Sequence, residues 1–457
     1  MLSSNVVRRD LGARRSFVET LGDNAGTTCG ERLWARRVVH LGGIWWTHRN
    51  ISSTGLKNGH TRGGLPGSIL STYPQGLLSS VTRGLRRRDQ YMKLSVARGE
   101  LLDALSVAGK GMSARSTLPI LSGILISAEG AALQLQATDL EVSVRRACAA
   151  LVESEGQTVV PGKLLTDIVR SLPEAAVTIE LDGDTVHVRC QNSSFTLKTL
   201  NAADFPKFPE VSVSKTVSLP AEAMSSVVRR VSKSVSRDET RATLTGVLMV
   251  VERQCLRMVA TDSYRLALSE VIVEPDLSED LEVVVPGKAL EEVTRLAAEG
   301  DTITIGLSEN QIMFDFGDTT FVTRKIEGTF PNYRQIVPKE TGTTVEIDGD
   351  EFSAAVRRVS LMALHNSPIK ISVNVADQTM SLSAATQDVG DASEDLMVKT
   401  EGEDVSIAFN HSFLMDGLTS AQDEVLKLEI QSAEKPGLIK SALDDAFLYV
   451  LMPVRTS

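Results

Sequence analysis

Two short runs carry residue types that catalysis uses. Thr138-Asp139 and Thr261-Asp262 each set a hydroxyl beside a carboxylate, and each follows an alanine, Ala137 or Ala260. A catalytic carboxylate needs an acid, a base or metal ligands converging on the same reacting atom. These two lie 123 positions apart in matching surroundings, so one active site cannot use both. A turn whose side chains hold backbone amides is the better account. Gly156 to Lys163 invites comparison with a phosphate-binding loop. One residue too many separates Gly156 from Gly162, however, and Leu164 stands where Ser or Thr is required. The second such run has Glu282 in place of the first glycine. His187, His365 and His411 are scattered, and Cys29, Cys148, Cys190 and Cys255 form no CxxC. Buried structural thiols in a reducing compartment are expected, with no zinc site, disulfide framework or cofactor. The sequence argues against an enzyme.

The elements that position these runs recur. Val160-Pro161-Gly162-Lys163 returns as Val285-Pro286-Gly287-Lys288 and Phe205-Pro206 as Phe330-Pro331, both after 125 positions. A third, more worn copy keeps the order: Thr344-Val345-Glu346-Ile347, Ala385-Thr386-Gln387-Asp388, Ala408-Phe409-Asn410 and Met452-Pro453. Solenoid repeats run about 20 to 50 residues, so this longer period means tandem copies of a whole domain. Each copy opens with a strand and a helix. Met224, Val227, Val228, Val231 and Val235 share one helical face in the second copy, and Phe352, Ala355, Val356 and Val359 in the third. Alternating strands follow, among them 246–251, 256–260, 302–307, 311–316 and 321–326. The Pro-Gly-Lys turn leads into a second helix, with Leu164, Leu165, Ile168, Val169 and Leu172 apolar in the first copy and Leu290, Val293, Leu296 and Ala297 in the second. Each copy is thus α+β, two helices packed on antiparallel sheets. The domains are set at 92–213, 214–340 and 341–457.

Residues 1–91 differ: 14 Lys and Arg face 5 Asp and Glu, a formal +9, whereas the remainder holds 34 against 53, or −19. No apolar period survives there. A start assigned too far upstream or a disordered basic extension is expected; an organelle transit peptide and a nucleic-acid arm are weaker readings. No stretch nears 18 apolar residues, so no membrane span is expected and the cytoplasm is the assigned compartment.

Although the body is acidic, its helices present cations: Lys110, Lys163, Arg170, Arg229, Arg230, Lys233, Lys288, Arg295, Arg357 and Arg358. Gathered on one wall, they would hold a phosphate backbone by many weak, sequence-blind contacts. Taken singly, each is better read as an ordinary solvent-facing cation. Their recurrence at equivalent places favours the wall.

From Met92 to Ser457 the chain resembles the bacterial DNA polymerase III beta subunit family, the sliding clamps. The resemblance rests on Arg115-Ser116-Thr117-Leu118-Pro119-Ile120-Leu121, Ala137 to Glu141, Thr199 to Pro206, Ala260 to Ala267, Gly328 to Arg334 and Tyr449 to Arg455. It implies three clamp domains forming half of a closed ring, a head-to-tail homodimer around double-stranded DNA that acts as a processivity factor. It implies partners that insert short linear motifs: the replicative polymerase alpha subunit, the clamp-loader delta subunit, translesion polymerases and mismatch-repair proteins. Their groove maps to Leu244, Thr261, Ser263, Tyr264, Arg265, Leu266, Pro331, Ile336, Val450, Met452 and Pro453. For Leu266 and Val450 a plain inter-domain core is the competing role. The ring-closing interface maps to Phe195 and Leu197 against Leu361 and Met362, and the channel wall most directly to Arg115 and Lys288. Ser263-Tyr264 replaces a Gly-His pair common in the family, making that rim bulkier, and the helix around Phe413 to Leu418 lacks basic residues. A non-replicative paralogue working through the same groove is the alternative.

Overall fold

The computed structural model describes residues 91–113, 117–273, 280–298, 300–338, 340–364, 367–421, 424–443 and 445–455. The readings made for residues 1–90, Cys29, Arg115 and His365 lie outside them.

Three modules follow one another. The first holds β1 (Tyr91–Ala97), α1 (Arg98–Ala108), β2 (Gly123–Glu129), β3 (Ala132–Thr138), β4 (Val142–Ala149), β5 (Leu151–Ser154), β6 (Gly156–Pro161), α2 (Gly162–Ser171), β7 (Ala176–Asp182), β8 (Thr185–Cys190) and β9 (Ser193–Lys198). The second holds β10 (Lys215–Pro220), α3 (Ala221–Val231), β11 (Gly246–Glu252), β12 (Cys255–Thr261), β13 (Arg265–Ile272), β14 (Leu281–Pro286), α4 (Gly287–Leu296), β15 (Thr302–Leu307), β16 (Gln311–Phe316) and β17 (Thr319–Arg324). The third holds β18 (Thr343–Asp348), α5 (Gly349–Val359), β19 (Pro368–Asn374), β20 (Thr379–Thr386), β21 (Gly390–Met397), β22 (Lys399–Glu401), β23 (Val405–Asn410), α6 (His411–Ala421), β24 (Val425–Ile430), β25 (Gly437–Ser441) and β26 (Phe447–Leu451).

The repeated motifs set these elements. In the first two modules the strand ends on Pro161 or Pro286 and the helix starts on the next glycine. A Cβ on Gly162 would run into Met112 and Ile124, and one on Gly287 into Val235, so glycine lets the helix begin against the neighbouring turn. The third module solves the same corner with Asn410, whose side chain accepts from the amides of Ser412 at 2.9 Å and Phe413 at 3.2 Å, an N-cap. The first helix is eleven residues long in every module, and a three-residue 3-10 turn follows it: Gly109–Gly111, Ser232–Ser234 and Ser360–Met362.

The strands form four antiparallel sheets, and two cross module boundaries. The eight-stranded sheet β10-β15-β16-β17-β4-β3-β2-β6 joins the first two modules through β17 and β4, with Phe321 opposite Val144. The nine-stranded sheet β14-β11-β12-β13-β26-β25-β24-β18-β22 joins the second and third through β13 and β26, with Ala267 opposite Tyr449. The five-stranded sheet ends at β9 and the four-stranded sheet at β21. One apolar core fills the first module, and a second runs through the other two, reaching Val107 and Val144.

Four expectations shift. The third hairpin strand of the second module is Thr319–Arg324, because the tight turn at Gly317 (φ +52°) reverses the chain two residues early. Val235 lies past the end of α3, beyond the 3-10 turn. Leu164 does not join the buried face of α2 but stands 49% exposed beside buried Leu165, Ile168 and Val169. Thr386 is placed differently from Thr138 and Thr261: its hydroxyl donates to the Met362 carbonyl at 2.6 Å and accepts from the Leu364 amide at 3.1 Å.

Candidate functional site

The two Thr-Asp runs build the same turn. Asp139 Oδ1 accepts from the amides of Glu141 (3.0 Å) and Val142 (2.7 Å), and Asp262 Oδ1 from those of Tyr264 (2.9 Å) and Arg265 (3.0 Å). The Thr138 hydroxyl donates to the Val142 carbonyl at 2.8 Å, that of Thr261 to the Arg265 carbonyl at 2.7 Å. Leu140 and Ser263 both adopt φ 80°. The carboxylates therefore brace backbone rather than face a substrate.

What differs is the floor beside each turn. At the first junction Ser143 stands opposite Val322 and its hydroxyl lies 2.8 Å from that of Thr138. At the second junction the same position is Leu266, opposite Val450. The second junction alone thus has an apolar floor, and there Thr261, Ser263, Arg265, Leu266, Ile336, Val450 and Met452 line a crevice. Its volume is about 20 Å³, no more than one water fills, so an entering side chain must push the walls apart. Leu266 and Val450 are each 1% exposed and share a cluster with Phe330 and Tyr333. They serve as inter-module core and crevice floor at once.

The remaining expected groove residues flank the crevice. Leu244 is buried in the 3-10 turn Ala242–Thr245, and Pro331 lines a separate, larger cavity with Phe330 and Tyr333. Tyr264 is 61% exposed and stacks on Phe413 with ring centroids 6.2 Å apart. The Met452 amide donates to the Tyr264 carbonyl at 2.9 Å, and Pro453 follows, half-buried.

Arg265 is a buried strut. Its Nε donates to Asp262 at 3.0 Å, its Nη1 to Asp416 at 2.6 Å and to the Tyr449 hydroxyl at 3.4 Å, and it covers the Phe413 ring at 4.4 Å. Burial disfavours its charge, but Tyr449, Asp416 and Asp262 outweigh that and hold its pKa above the ordinary arginine value. Burial pushes the Tyr449 phenol up. That Asp416, Phe413 and Tyr449 hold Arg265 escaped the sequence reading, because nothing in their spacing announces partners as far as 151 and 184 residues away. Arg241 also went unread: its Nη1 donates to Ser263 Oγ at 2.9 Å.

Apart from Arg115, which lies outside the described residues, the expected cations sit on α2 to α5 or on the turns that follow α1 and α3, and α6 carries none. Arg170 is paired with Asp167 at 3.1 Å, Arg295 with Glu292 at 2.5 Å, Lys110 with Glu292 at 3.3 Å, and Arg358 is held by both oxygens of Glu394. Arg229 Nε donates to the Ser225 carbonyl at 3.4 Å, and Arg230 lies 5.5 Å from the Phe447 ring. Lys163, Lys233, Lys288 and Arg357 are exposed and have no ion pair among the described residues; Lys233 and Lys288 line one cavity. At the interface positions Phe195 and Met362 are half-buried, Leu197 is buried, and Leu361 is 71% exposed.

Among the described residues no cluster of His, Cys, Asp or Glu could hold a metal, and no helix is long and apolar enough to cross a membrane. Cys148 and Cys190 are buried thiols, and burial pushes Cys148 up to about 11.

Three α+β modules joined edge to edge, with one apolar crevice at a junction, define a DNA clamp. Residues 92–209, 218–332 and 334–455 match the N-terminal, central and C-terminal domains of the DNA polymerase III beta subunit. The beta sliding clamp of Streptomyces coelicolor is 35% identical over 379 residues, covering 80% of this chain and 100% of the relative. The structure is similar to the Bacillus subtilis sliding clamp (TM-score 0.77, 27% identity) and to a C. crescentus beta sliding clamp (TM-score 0.76, 31% identity), each over 80% of this chain and 100% of the other. The chain therefore belongs to the DNA polymerase III beta subunit family, the sliding clamps, whose role in DNA replication is that of a non-catalytic processivity factor.

Proposed function

We propose that two copies of this chain close head to tail into a ring around duplex DNA, and that the crevice between β13 and β26 takes the short motifs of the proteins the ring tethers. One observation carries the ring. At both internal junctions the last strand of one module pairs with the strand that follows the Thr-Asp turn of the module before it: β17 with β4, β26 with β13. Among the described residues the same rule leaves β9 and β21 without a neighbour on one side, and they are the pair a second copy would complete. A head-to-tail contact that closes gives a ring of two chains and six modules.

The four unpaired cations suit loose contact with phosphate, which lets a ring slide while encirclement keeps it on. The apolar floor under Tyr264 and Met452 suits a Leu or Phe side chain of a partner motif. The C. crescentus relative, whose structure has polyethylene glycol bound to a candidate beta-motif tethering region, supports a groove of that kind. The proposed users are the replicative polymerase alpha subunit, the clamp-loader delta subunit, translesion polymerases and mismatch-repair proteins, in the cytoplasm at the replicating chromosome.

The test is retention of the full chain on nicked circular DNA after clamp-loader action, before and after the circle is cut. Retention on the circle with loss on linearisation supports the ring. Equal retention on both forms means ordinary binding and overturns it.

A further inference from the structure

The second helix of every module carries a carboxylate as its sixth residue: Asp167 on α2, Glu292 on α4 and Asp416 on α6. At both junctions inside the chain this carboxylate reaches back to a cation of the preceding module. Glu292 Oε2 lies 3.3 Å from Lys110 Nζ, and Asp416 Oδ2 lies 2.6 Å from Arg265 Nη1. The cations come from two places: the middle of the 3-10 turn after the first helix (Lys110) and the first residue of the strand after the turn (Arg265).

Asp167 has no preceding module in its own chain, and its ion pair is with Arg170, one turn along the same helix at 3.1 Å. In the third module, which the proposed ring sets against it, the two cation-bearing places are Leu361 and Gly390. Around them Leu361 is 71%, Val389 56% and Leu364 41% exposed, and the proposed ring would set the unexpectedly exposed Leu164 of α2 across from them. Neither place offers a positive charge.

We propose that the seam between two copies lacks the carboxylate–cation clasp found at both internal junctions, and that Leu361 and Leu164 close it by apolar contact instead. The inference rests on the head-to-tail ring. It gives the ring two kinds of junction, and it explains why large apolar side chains stand exposed at this end of the third module. Asp167 then faces Leu361, as Glu292 faces Lys110, and contributes nothing to closure.

The test is dimer dissociation measured by sedimentation of the full chain at about 0.1 M salt, where charges within about 10 Å still interact. Wild type, Asp167→Asn, Leu361→Lys and the double variant form a cycle. Asp167→Asn in the wild-type background should leave dimer affinity unchanged or tighter. In the Leu361→Lys background the same change should weaken it about two- to thirtyfold, because lysine at 361 supplies the missing clasp at each of the two seams and an exposed pair is worth about 0.2 to 1 kcal/mol. Leu164→Ser should weaken the dimer with an unchanged circular-dichroism spectrum. A dimer that Asp167→Asn weakens severalfold, or one without coupling between 167 and 361, overturns this inference alone. A wild-type chain that stays monomeric overturns the ring and the inference with it.

Discussion

Arg265 Nη1 stands 2.6 Å from Asp416 Oδ2, and through that contact the turn beside the crevice is fastened to the second helix of the next module. The guanidinium also braces Asp262 and covers Phe413, on which Tyr264 stacks. The crevice wall and the module junction are therefore one piece of structure.

Arg265→Ala should accordingly cost both stability and the crevice. It leaves two carboxylates, one of them 13% and the other 35% exposed, without their partner. Removing one side of a fully buried pair costs about 3 to 5 kcal/mol; with Asp416 partly wetted, roughly 2 kcal/mol is expected. Thermal unfolding followed by circular dichroism measures it. A change within experimental error of zero would show that Asp416 and Asp262 are solvated well enough without the arginine.

Groove variants separate floor from rim. Met452→Ala removes a half-buried side chain at the crevice mouth and should weaken binding of a polymerase-tail peptide about tenfold with little change in unfolding, since single hot-spot truncations cost about 1 to 2 kcal/mol or more. Leu266→Ala should weaken the peptide too, but it empties a fully buried site and should also cost about 2 to 5 kcal/mol of stability. Fluorescence anisotropy with a labelled peptide reads the first effect, and sedimentation shows that the dimer survives. Unchanged affinity in both variants would sink the groove assignment.

The modular plan was legible because it is written in local chemistry. Pro161-Gly162 and Pro286-Gly287 mark corners that any reader of backbone conformation can find, and Thr-Asp runs announce their turns. What stayed hidden depends on contacts between distant parts. Helical periodicity assigned Leu164 to the buried face, but α2 buries Leu165 and turns Leu164 outward, 49% exposed among the described residues. Counting cations in the sequence likewise could not tell Arg357 from Arg358, because Glu394 comes from β21, across the module.

That last difference gives a sharp comparison on DNA. Arg357 is exposed and without an ion pair among the described residues, whereas its neighbour is held by both oxygens of Glu394. Every phosphate that a cation neutralises steepens the fall of log affinity with log salt by about 0.9. Arg357→Ala, Lys233→Ala and Lys288→Ala should each flatten the slope by a sizeable part of that amount, and Arg358→Ala by much less. Duplex binding by the full chain across a salt series decides it, and equal slopes for Arg357→Ala and Arg358→Ala would mean that prior pairing does not set which cations meet phosphate.

The register of the proposed ring closure follows from the junctions already made. At both of them the third residue of one strand faces the third residue of the other, Phe321 opposite Val144 and Tyr449 opposite Ala267. Carried to the free edges, the rule sets Phe195 opposite Ala392 of a second copy, and Ser194 opposite Ser393. Both serines are exposed at the sheet edges, and directly opposed antiparallel residues lie about 4.5 to 5.5 Å apart at Cα, within disulfide range. A chain carrying Ser194→Cys and Ser393→Cys should therefore oxidise to a covalent dimer closed at both seams. Moving one cysteine to Thr196 should abolish the cross-link, since the residue it faces would then be Asp391. Cross-linking from both positions alike would indicate a mobile edge, and failure of the first pair in a chain that is dimeric by sedimentation would mean that the seam does not copy the internal junctions.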